Sequence, residues 1–375
     1  MSKAEFNFER LRSVVQNFQL IGDIVSVERY GSGHINDTYR VCINQAGVPV
    51  SYILQRINHT IFQHPDQLMD NILRVTGHQR SKLNDPDDID ASRRCLTVVP
   101  AKDGLPYVHD QEGNWWRVYL FIENARTWDL LEHKSFAFEA ARAFAGFQNQ
   151  LADLPVPRLH EIIPNFHHTP KRIEVLDQVI AADTHDRVAG VQAEIDFINQ
   201  RREECARLIK RFNNGDIPER ITHNDTKINN VMLDDTTGKG VCVIDLDTVM
   251  PGLALYDFGD MVRSAAAASA EDEPDSSRAG TRIEVFEALV QGYISEAKFL
   301  NDAEFEELAF SGRLITMTIG IRFLTDYLSG DIYFKTNREC HNLDRCRVQL
   351  QMVRSMEEQS SAMEAVVAAS RAAYA

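Results

Sequence analysis

The feature that most constrains the fold is a change in the spacing of apolar residues near Glu123. Before it, short segments rich in β-branched and aromatic residues alternate with glycine-containing turns, as in antiparallel strands. After it, apolar residues recur at helical spacing over long stretches. The chain is therefore predicted to form an α+β structure with two lobes, a small antiparallel-sheet lobe (1–122) and a larger, mostly helical lobe (123–375).

The sheet lobe is predicted to contain about five strands and one helix, with the helix packed on the sheet. The expected strands are 24–30, 37–43, 48–57, 95–100 and 115–122, and the expected helix is 64–83. The second lobe is predicted to contain long helices at 135–151, 192–212, 283–299, 302–328 and 342–373. Two segments of biased composition are predicted to be a connecting loop (155–170) and an exposed, mobile loop (264–281).

Composition excludes several classes of partner. The chain carries 40 Lys and Arg against 55 Asp and Glu, a net charge of −15, and its basic residues are scattered, so nucleic acid is not an expected partner. Charges interrupt every apolar stretch before the ~18 residues that a membrane span requires, and residues 1–20 lack a signal-peptide core. The six cysteines form no C-x-x-C pair. We therefore expect a cytoplasmic protein without membrane association, and the oligomeric state is left open.

The chemistry is carried by a polar cluster between two short apolar strands. His223, Asp225 and Asn230 have the H-x-D-x-x-x-x-N spacing of a kinase catalytic loop, and Asp245 follows Asp225 by 20 residues at the end of the next predicted strand. Asp and Asn also cap ordinary turns, but here the motif has the strand context that phosphoryl transfer uses. The pattern predicts an ATP-dependent phosphotransferase.

Each residue of the motif has a predicted role. Asp225 is the expected catalytic base, which accepts the proton of the attacking hydroxyl, and Lys227 is expected to neutralise charge on the transferred phosphoryl group. Asn230 and Asp245 supply the hard oxygen ligands that Mg²⁺ prefers. His223 is predicted to brace the loop by hydrogen bonding, because the acid–base work already has a carboxylate.

Two further aspartates require a decision. Asp257 begins the letters D-F-G, but it lies 32 residues after Asp225 and near the start of an apparent helix, so it is predicted to brace the structure and not to bind metal. Asp247, two residues after Asp245, could reach the same ion or a substrate hydroxyl. Both roles for Asp247 are left open.

A glycine-containing hairpin at 30–39 is the candidate phosphate-binding loop. The main-chain N–H groups of Gly31, Ser32 and Gly33 could approach phosphate oxygens, although a simple hairpin turn explains these glycines equally well. His34 and Asn36 add polar groups at the edge of the predicted cleft.

The nucleotide phosphates also require a cation from the sheet. Arg56 is the candidate, with a solvated strand residue as its alternative. Protein kinases use a strand lysine paired with a helix glutamate, whereas this chain offers Gln55 or Arg56 on the strand and Asp66 and Asp70, without a glutamate, on helix 64–83. The positioning of the α- and β-phosphates is therefore unexplained by the sequence.

Taken together, these segments resemble the aminoglycoside phosphotransferase and choline kinase superfamily, and more closely the bacterial N-acetylhexosamine 1-kinases. The most distinctive stretches are 30–36, 116–123, 222–230, 244–252 and 322–334. The resemblance implies a protein-kinase-like two-lobe fold, ATP bound at a hinge that includes Phe121 and Glu123, and phosphorylation of the anomeric hydroxyl of N-acetylglucosamine or N-acetylgalactosamine. It also implies that His34, Asp225, Arg322 and Tyr333 contact the sugar.

Two other functions remain open at this stage. One is a kinase for another small alcohol, such as an aminoglycoside, choline or homoserine, since an acidic protein can attract cationic substrates. The other is a nucleotide-binding pseudokinase, suggested by the missing lysine and glutamate. The presence of Asp225, Asn230 and Asp245 together argues against the pseudokinase.

Overall fold

The computed structural model describes residues 8–31, 35–83, 90–128 and 133–374. The chain divides into two compact units: the first comprises the chain up to Ala125 with segments 154–163 and 241–249, and the second comprises 126–153, 164–240 and 250 onwards. The sequence predicted one boundary, after residue 122. The two later segments join the first unit partly through Asn71, whose side-chain amide donates to the carbonyl oxygens of His160 and Val249.

The first unit is built on one antiparallel sheet of six strands. Its path runs β1-β2-β3-β6-β4, and β5 pairs with β6. The predicted five strands are present, and β5 is an additional short strand that was not predicted. The elements of the sheet and its two helices are α1 (Phe8–Val15), β1 (Asp23–Arg29), β2 (Asp37–Gln45), β3 (Val48–Ile57), α2 (Pro65–Lys82), β4 (Val98–Val99), β5 (Val108–His109) and β6 (Trp115–Leu120).

One core holds this unit together. The buried residues of α1, which include Leu11 and Val14, pack in the same cluster as Val41 of β2, Leu54 of β3 and Trp116 of β6. Alternating burial along β2 shows that one face of the sheet is covered and the other is partly open. The sheet therefore offers a rigid support for side chains on its second face.

The second unit is mainly helical. Its helices are α3 (Lys134–Leu151), α4 (Thr169–Ala182), α5 (Gln192–Asn199), α6 (Arg202–Cys205), α7 (Arg207–Asn213), α8 (Ala254–Ala265), α9 (Ile283–Glu296), α10 (Asp302–Leu328), α11 (His341–Glu358) and α12 (Ser360–Tyr374). Its short strands are β8 (Arg220–Thr222), β9 (Val231–Asp234) and β11 (Met250–Gly252), while β7 (Ala125–Arg126) and β10 (Gly240–Val243) lie where the units meet along the chain.

Three predictions about the helices were wrong in detail. The predicted helix 192–212 is three helices, because it is interrupted at Arg201, whose guanidinium is bound by Glu357 at 2.7 and 2.8 Å, and again at Ala206. The predicted helix 342–373 is two helices that meet at Gln359. Helix α4 was not predicted at all.

Two glycines allow helices of this unit to pack closely. A Cβ atom on Gly259 of α8 would overlap the carbonyl oxygen of Ser311 on α10, and one on Gly292 of α9 would overlap the carbonyl oxygen of Phe138 on α3. The glycine in the letters D-F-G therefore serves helix packing.

The segment 264–281, predicted to be an exposed, mobile loop, is partly exposed and is anchored at several points, while its mobility stays a prediction. Glu271 binds the buried Arg263 at 2.7 Å, Asp272 lies 3.0 Å from the buried ring of His341, and Ala267 and Thr281 form an antiparallel bridge. The two acids keep part of their surface exposed, and the partner of Asp272 lies 69 residues away in the sequence.

Across residues 8–31, 35–83, 90–128 and 133–374, no helix combines the length and apolar character needed to cross a membrane.

Candidate active site

The polar cluster of the sequence forms a loop between β8 and β9. Asp257 of α8 accepts hydrogen bonds from the main chain of this loop. One carboxylate oxygen of Asp257 accepts the main-chain N–H of His223 at 2.8 Å, and the other accepts that of Asn224 at 2.7 Å. The hydroxyl of Thr226 donates to the carbonyl oxygen of Asp257 at 2.6 Å. The predicted bracing role of Asp257 is confirmed.

His223 braces the same loop, as predicted. Its ring is fully buried, with the rings of Phe144 and Phe147 edge-on at 5.3 and 5.9 Å. Its Nδ1 accepts the main-chain N–H of Asp225 at 3.3 Å. The imidazole therefore fixes the main chain at the residue predicted to be the catalytic base.

Asp225, Lys227 and Asn230 meet within this loop. The Lys227 ammonium lies 2.9 Å from one carboxylate oxygen of Asp225. The amide nitrogen of Asn230 donates to the carbonyl oxygen of Asp225 at 2.7 Å and to its other carboxylate oxygen at 3.1 Å. This orientation turns the amide oxygen of Asn230 away from Asp225, which fits the metal-ligand role that the sequence predicts.

Charges around Asp225 keep it ionised. Burial alone would raise the pKa of this carboxyl group, but Lys227, His223 and Arg263 together lower it below its ordinary value. Asp225 in turn raises the pKa of Lys227. A carboxylate and an ammonium are therefore both charged at neutral pH, as a proton acceptor and a phosphate-neutralising cation need to be.

Arg322 of α10 lies among aromatic rings in the same unit. Its guanidinium carbon is 4.8 Å from the ring centroid of Phe166, 5.6 Å from that of Tyr333 and 5.4 Å from that of Phe334. Burial lowers the pKa of Arg322, and Tyr333 and Asp225 act in the opposite direction. The structure therefore brings Arg322 and Tyr333 together and places Arg322 within electrostatic range of Asp225.

The loop that carries Tyr333 is fixed by Asp326. The carboxylate of Asp326 accepts the main-chain N–H groups of Ile332, Tyr333 and Phe334 at 2.8 to 3.0 Å, and it accepts the side-chain amide of Asn342 at 2.9 Å. Tyr333 itself remains half-exposed. An exposed ring on a well-held loop is suited to contact a ligand.

In the first unit, β10 ends at Val243 and a tight turn presents Asp245, as the sequence predicts. Asp245 is exposed and has left-handed main-chain geometry, with φ of 60°, and a 3₁₀ turn over Leu246–Thr248 follows. Such geometry is strained in a residue other than glycine and persists where the surroundings enforce it. The exposed carboxylate fits the predicted role of a Mg²⁺ ligand.

Asp247 is buried and bound on both oxygens. One carboxylate oxygen lies 2.5 Å from Nη1 of Arg117, and the other accepts the side-chain amide of Asn36 at 2.6 Å. Only 3% of Asp247 and 1% of Arg117 is exposed. Of the two open roles for Asp247, neither is visible in these contacts, which instead show a buried ion pair.

The remaining nucleotide-site predictions fall in the first unit. Gly31 has φ of 76° and lies in the hairpin as expected, whereas Ser32, Gly33 and His34 lie outside the described residues. The guanidinium of Arg56 binds the buried Asp37, with Nη2 at 2.5 Å, and Asn114. This ion pair was not expected, and a role of Arg56 towards a nucleotide remains a prediction.

The predicted hinge is held by two arginines. Arg40 lies over the ring of Phe121, with its guanidinium carbon 4.5 Å from the centroid, and 3.9 Å from the carboxylate of Glu123. Arg93 donates to the carbonyl oxygens of Glu123 at 3.1 Å and Asn124 at 2.8 Å. Binding of a nucleotide by Phe121 and Glu123 stays a prediction.

A match to a known protein family agrees with this geometry. Residues 26–296 match the model of the phosphotransferase enzyme family. The chain belongs to that family. The match spans more than half of the chain and includes residues 222–230 and Asp245, so the protein is a small-molecule phosphotransferase.

Solved structures confirm the kinase-like fold. The chain is similar to a microcompartment-associated aminopropanol kinase (16% identity, 96% of this chain and 99% of that chain covered, TM-score 0.59). It is also similar to a choline kinase from Cryptosporidium parvum Iowa II (13%, 95% and 98%, 0.54) and to wild-type aminoglycoside 2′-phosphotransferase-IIIa, solved as a GDP complex (12%, 95% and 100%, 0.55). At these identities the likeness establishes the fold.

Proposed function

We propose that this phosphotransferase uses ATP to phosphorylate the anomeric hydroxyl of N-acetylglucosamine or N-acetylgalactosamine. The observation that carries the proposal is the set of cations around Asp225: Lys227, Arg263 and Arg322 all act on its charge. An alkylammonium acceptor such as choline would be repelled by this set, whereas a neutral sugar would not. The surroundings of Asp225 therefore favour a neutral acceptor.

The two nearby acids, Asp260 and Glu271, do not give these surroundings an excess of negative charge, because the three cations balance them and Asp225. Arg263 forms ion pairs with both acids: its Nε lies 2.7 Å from Asp260, and its Nη1 lies 2.7 Å from Glu271. Acids bound to an arginine offer less attraction to the ammonium group of an aminoglycoside or an amino alcohol. This argument separates the proposed substrate from those named for the similar solved structures.

Arg322 and Tyr333 suit an N-acetylated sugar. The guanidinium can donate to the acetyl carbonyl oxygen, and the half-exposed ring of Tyr333 can stack on a sugar face. Nη2 of Arg322 lies 3.5 Å from the Tyr333 hydroxyl, so one ligand could contact both. The contact of His34 with the sugar is implied by the family resemblance alone.

In the proposed reaction the carboxylate of Asp225 accepts the proton of the anomeric hydroxyl, and that oxygen displaces ADP at the γ-phosphorus of ATP. Lys227 neutralises charge on the transferred group, and Asn230 holds the Asp225 carboxylate in place. Mg²⁺ would supply charge neutralisation to the phosphates, and the amide oxygen of Asn230 and the carboxylate of Asp245 are each a suitable ligand for it.

The test is a coupled ADP-release assay with magnesium and ATP. Turnover of N-acetylglucosamine or N-acetylgalactosamine, without turnover of their 1-O-methyl glycosides, is expected if the anomeric hydroxyl is the acceptor. Replacing Arg322 by Met should raise the KM for the sugar about tenfold or more and leave the KM for ATP unchanged. Turnover of choline or kanamycin but of neither sugar would overturn the proposal.

We also propose a reducing compartment, the cytoplasm. All six cysteines are free thiols, and four of them, Cys95, Cys205, Cys242 and Cys346, are buried with pKa values that burial raises. Buried neutral thiols are typical of proteins that are not exposed to oxidising conditions. Localisation of the tagged full chain in cells would test this.

A further inference from the structure

The sheet of the first unit carries a buried cation that the sequence analysis missed. Arg117 stands opposite Gln55 in the register of β6 and β3, and Gln55 stands opposite Thr38 in the register of β3 and β2. Residues directly opposite one another point to the same face of a sheet. Accordingly, Nε and Nη2 of Arg117 donate to the Gln55 side chain at 3.0 and 2.8 Å, and Gln55 donates to the Thr38 hydroxyl at 3.0 Å.

The remaining guanidinium nitrogen of Arg117, Nη1, faces the turn that presents Asp245. Nη1 binds Asp247 at 2.5 Å, and both Asp247 and Asp245 raise the pKa of Arg117 against the effect of its burial. The predicted phosphate hairpin meets the same carboxylate through Asn36 at 2.6 Å. Asp247 is therefore the point at which the sheet, the hairpin and the turn of Asp245 are joined.

Helix α2 offers no substitute for this pair. Met69 is the α2 residue whose side chain approaches Arg117, with its sulfur 4.0 Å from Nη1. Asp70 is engaged elsewhere, since it lies 3.2 Å from the ring of His160 and 3.7 Å from Arg74. The strand-lysine and helix-glutamate pair of protein kinases thus has no equivalent at these positions.

We propose that Arg117 is a positioning residue that, through Asp247, holds Asp245 in its metal-binding geometry and couples that turn to the phosphate hairpin. The inference rests on the proposed function, in which Asp245 binds Mg²⁺. Arg117 is too deeply buried to contact a phosphate, and each of its three side-chain nitrogens already donates a hydrogen bond to Gln55 or Asp247. In protein kinases the paired cation is on a strand equivalent to β3 and its carboxylate partner is on a helix. In this chain the buried cation is on β6, and its carboxylate partner lies in the turn after β10.

The experiment measures the dissociation constant of ADP by calorimetry with magnesium and with EDTA, on the full chain. The ratio of the two constants reports the metal site without any sugar. Arg117→Met is expected to weaken the magnesium enhancement about 10- to 100-fold, as loss of a residue that orients a metal ligand does. Arg117→Lys, which can still bind Asp247, should restore most of it, and Lys171→Met, at an exposed ion pair with Glu174, should not change it.

Two outcomes would overturn the inference. If Asp247 were itself a metal ligand, Arg117→Met would free its carboxylate, and the enhancement would stay the same or increase. An unchanged ratio in Asn36→Ala, which keeps every charge and removes the second contact to Asp247, would also count against it, because a loss of a few-fold is expected. Failure of the sugar assignment alone would leave all of these ADP measurements as predicted, so the two proposals fail separately.

Discussion

Two buried aspartates, one in each unit, hold the loops that carry the predicted chemistry, and they do so differently. Asp247 in the first unit is neutralised by a cation, Arg117, at 2.5 Å. Asp257 in the second unit accepts hydrogen bonds from neutral donors only: the main-chain N–H groups of His223 and Asn224 and the side-chain amide of Gln148. An ion pair is strong but fails when one partner is lost, whereas a set of neutral donors leaves the carboxylate sensitive to pH.

The largest expected effect breaks the ion pair. Arg117→Met leaves the carboxylate of Asp247 buried and unpaired, and it should lower the free energy of unfolding by about 3–5 kcal/mol in urea titrations. Lys171→Met, which removes an exposed pair with Glu174, should cost about 0–1 kcal/mol under the same conditions. Equal losses in the two variants would remove the contrast between Asp247 and an ordinary surface acid.

The second effect is a pH dependence of stability that arises from Asp257. Burial raises the pKa of Asp257 to about 7, above its unfolded value, so its contribution to stability is full at low pH and is lost as pH rises towards 7. Between pH 5 and 7 the free energy of unfolding of the wild type, relative to Asp257→Asn, should fall by about 2 kcal/mol. A difference that increases with pH would show that the hydrogen bonds outweigh burial.

The smallest effect sharpens the comparison at one hydrogen bond. Asn36→Ala removes a neutral donor from Asp247 but leaves Arg117 in place, and it should cost about 1–2 kcal/mol of unfolding free energy. Chemical denaturation of this variant beside Arg117→Met apportions the stability of the network. A loss as large as that of Arg117→Met would mean that the amide, and not the cation, keeps Asp247 buried.

Local sequence patterns predicted the contacts of the Asp225 loop in the second unit better than those of the Asp245 turn in the first unit. The spacing of His223, Asp225 and Asn230 lies within one loop, and the bracing role of Asp257 followed from its place near a helix start. The partner of Asp247 lies 130 residues away on β6, so no local pattern could identify it. A signal was present, because an arginine inside an apolar strand must find a partner when buried.

The same reasoning explains the other corrections. The composition of 264–281 did not indicate its anchors: Asp272 binds the ring of His341, which folding brings near from 69 residues away, and Glu271 binds Arg263. One of the two interruptions of the predicted helix 192–212 occurs at Arg201, whose ion-pair partner Glu357 belongs to α11. Periodicity predicts which residues are buried, whereas pairing of charges depends on tertiary contacts.

The most direct test of the central claim compares wild type and Asp225→Asn, with magnesium and ATP, on N-acetylglucosamine and N-acetylgalactosamine. The substitution keeps the shape of the side chain and removes the base, so kcat should fall about 10²- to 10⁴-fold while the affinity for ADP and the unfolding transition stay close to those of the wild type. An Asp225→Asn protein that folds normally and retains wild-type turnover would contradict the assignment of Asp225 as the catalytic base.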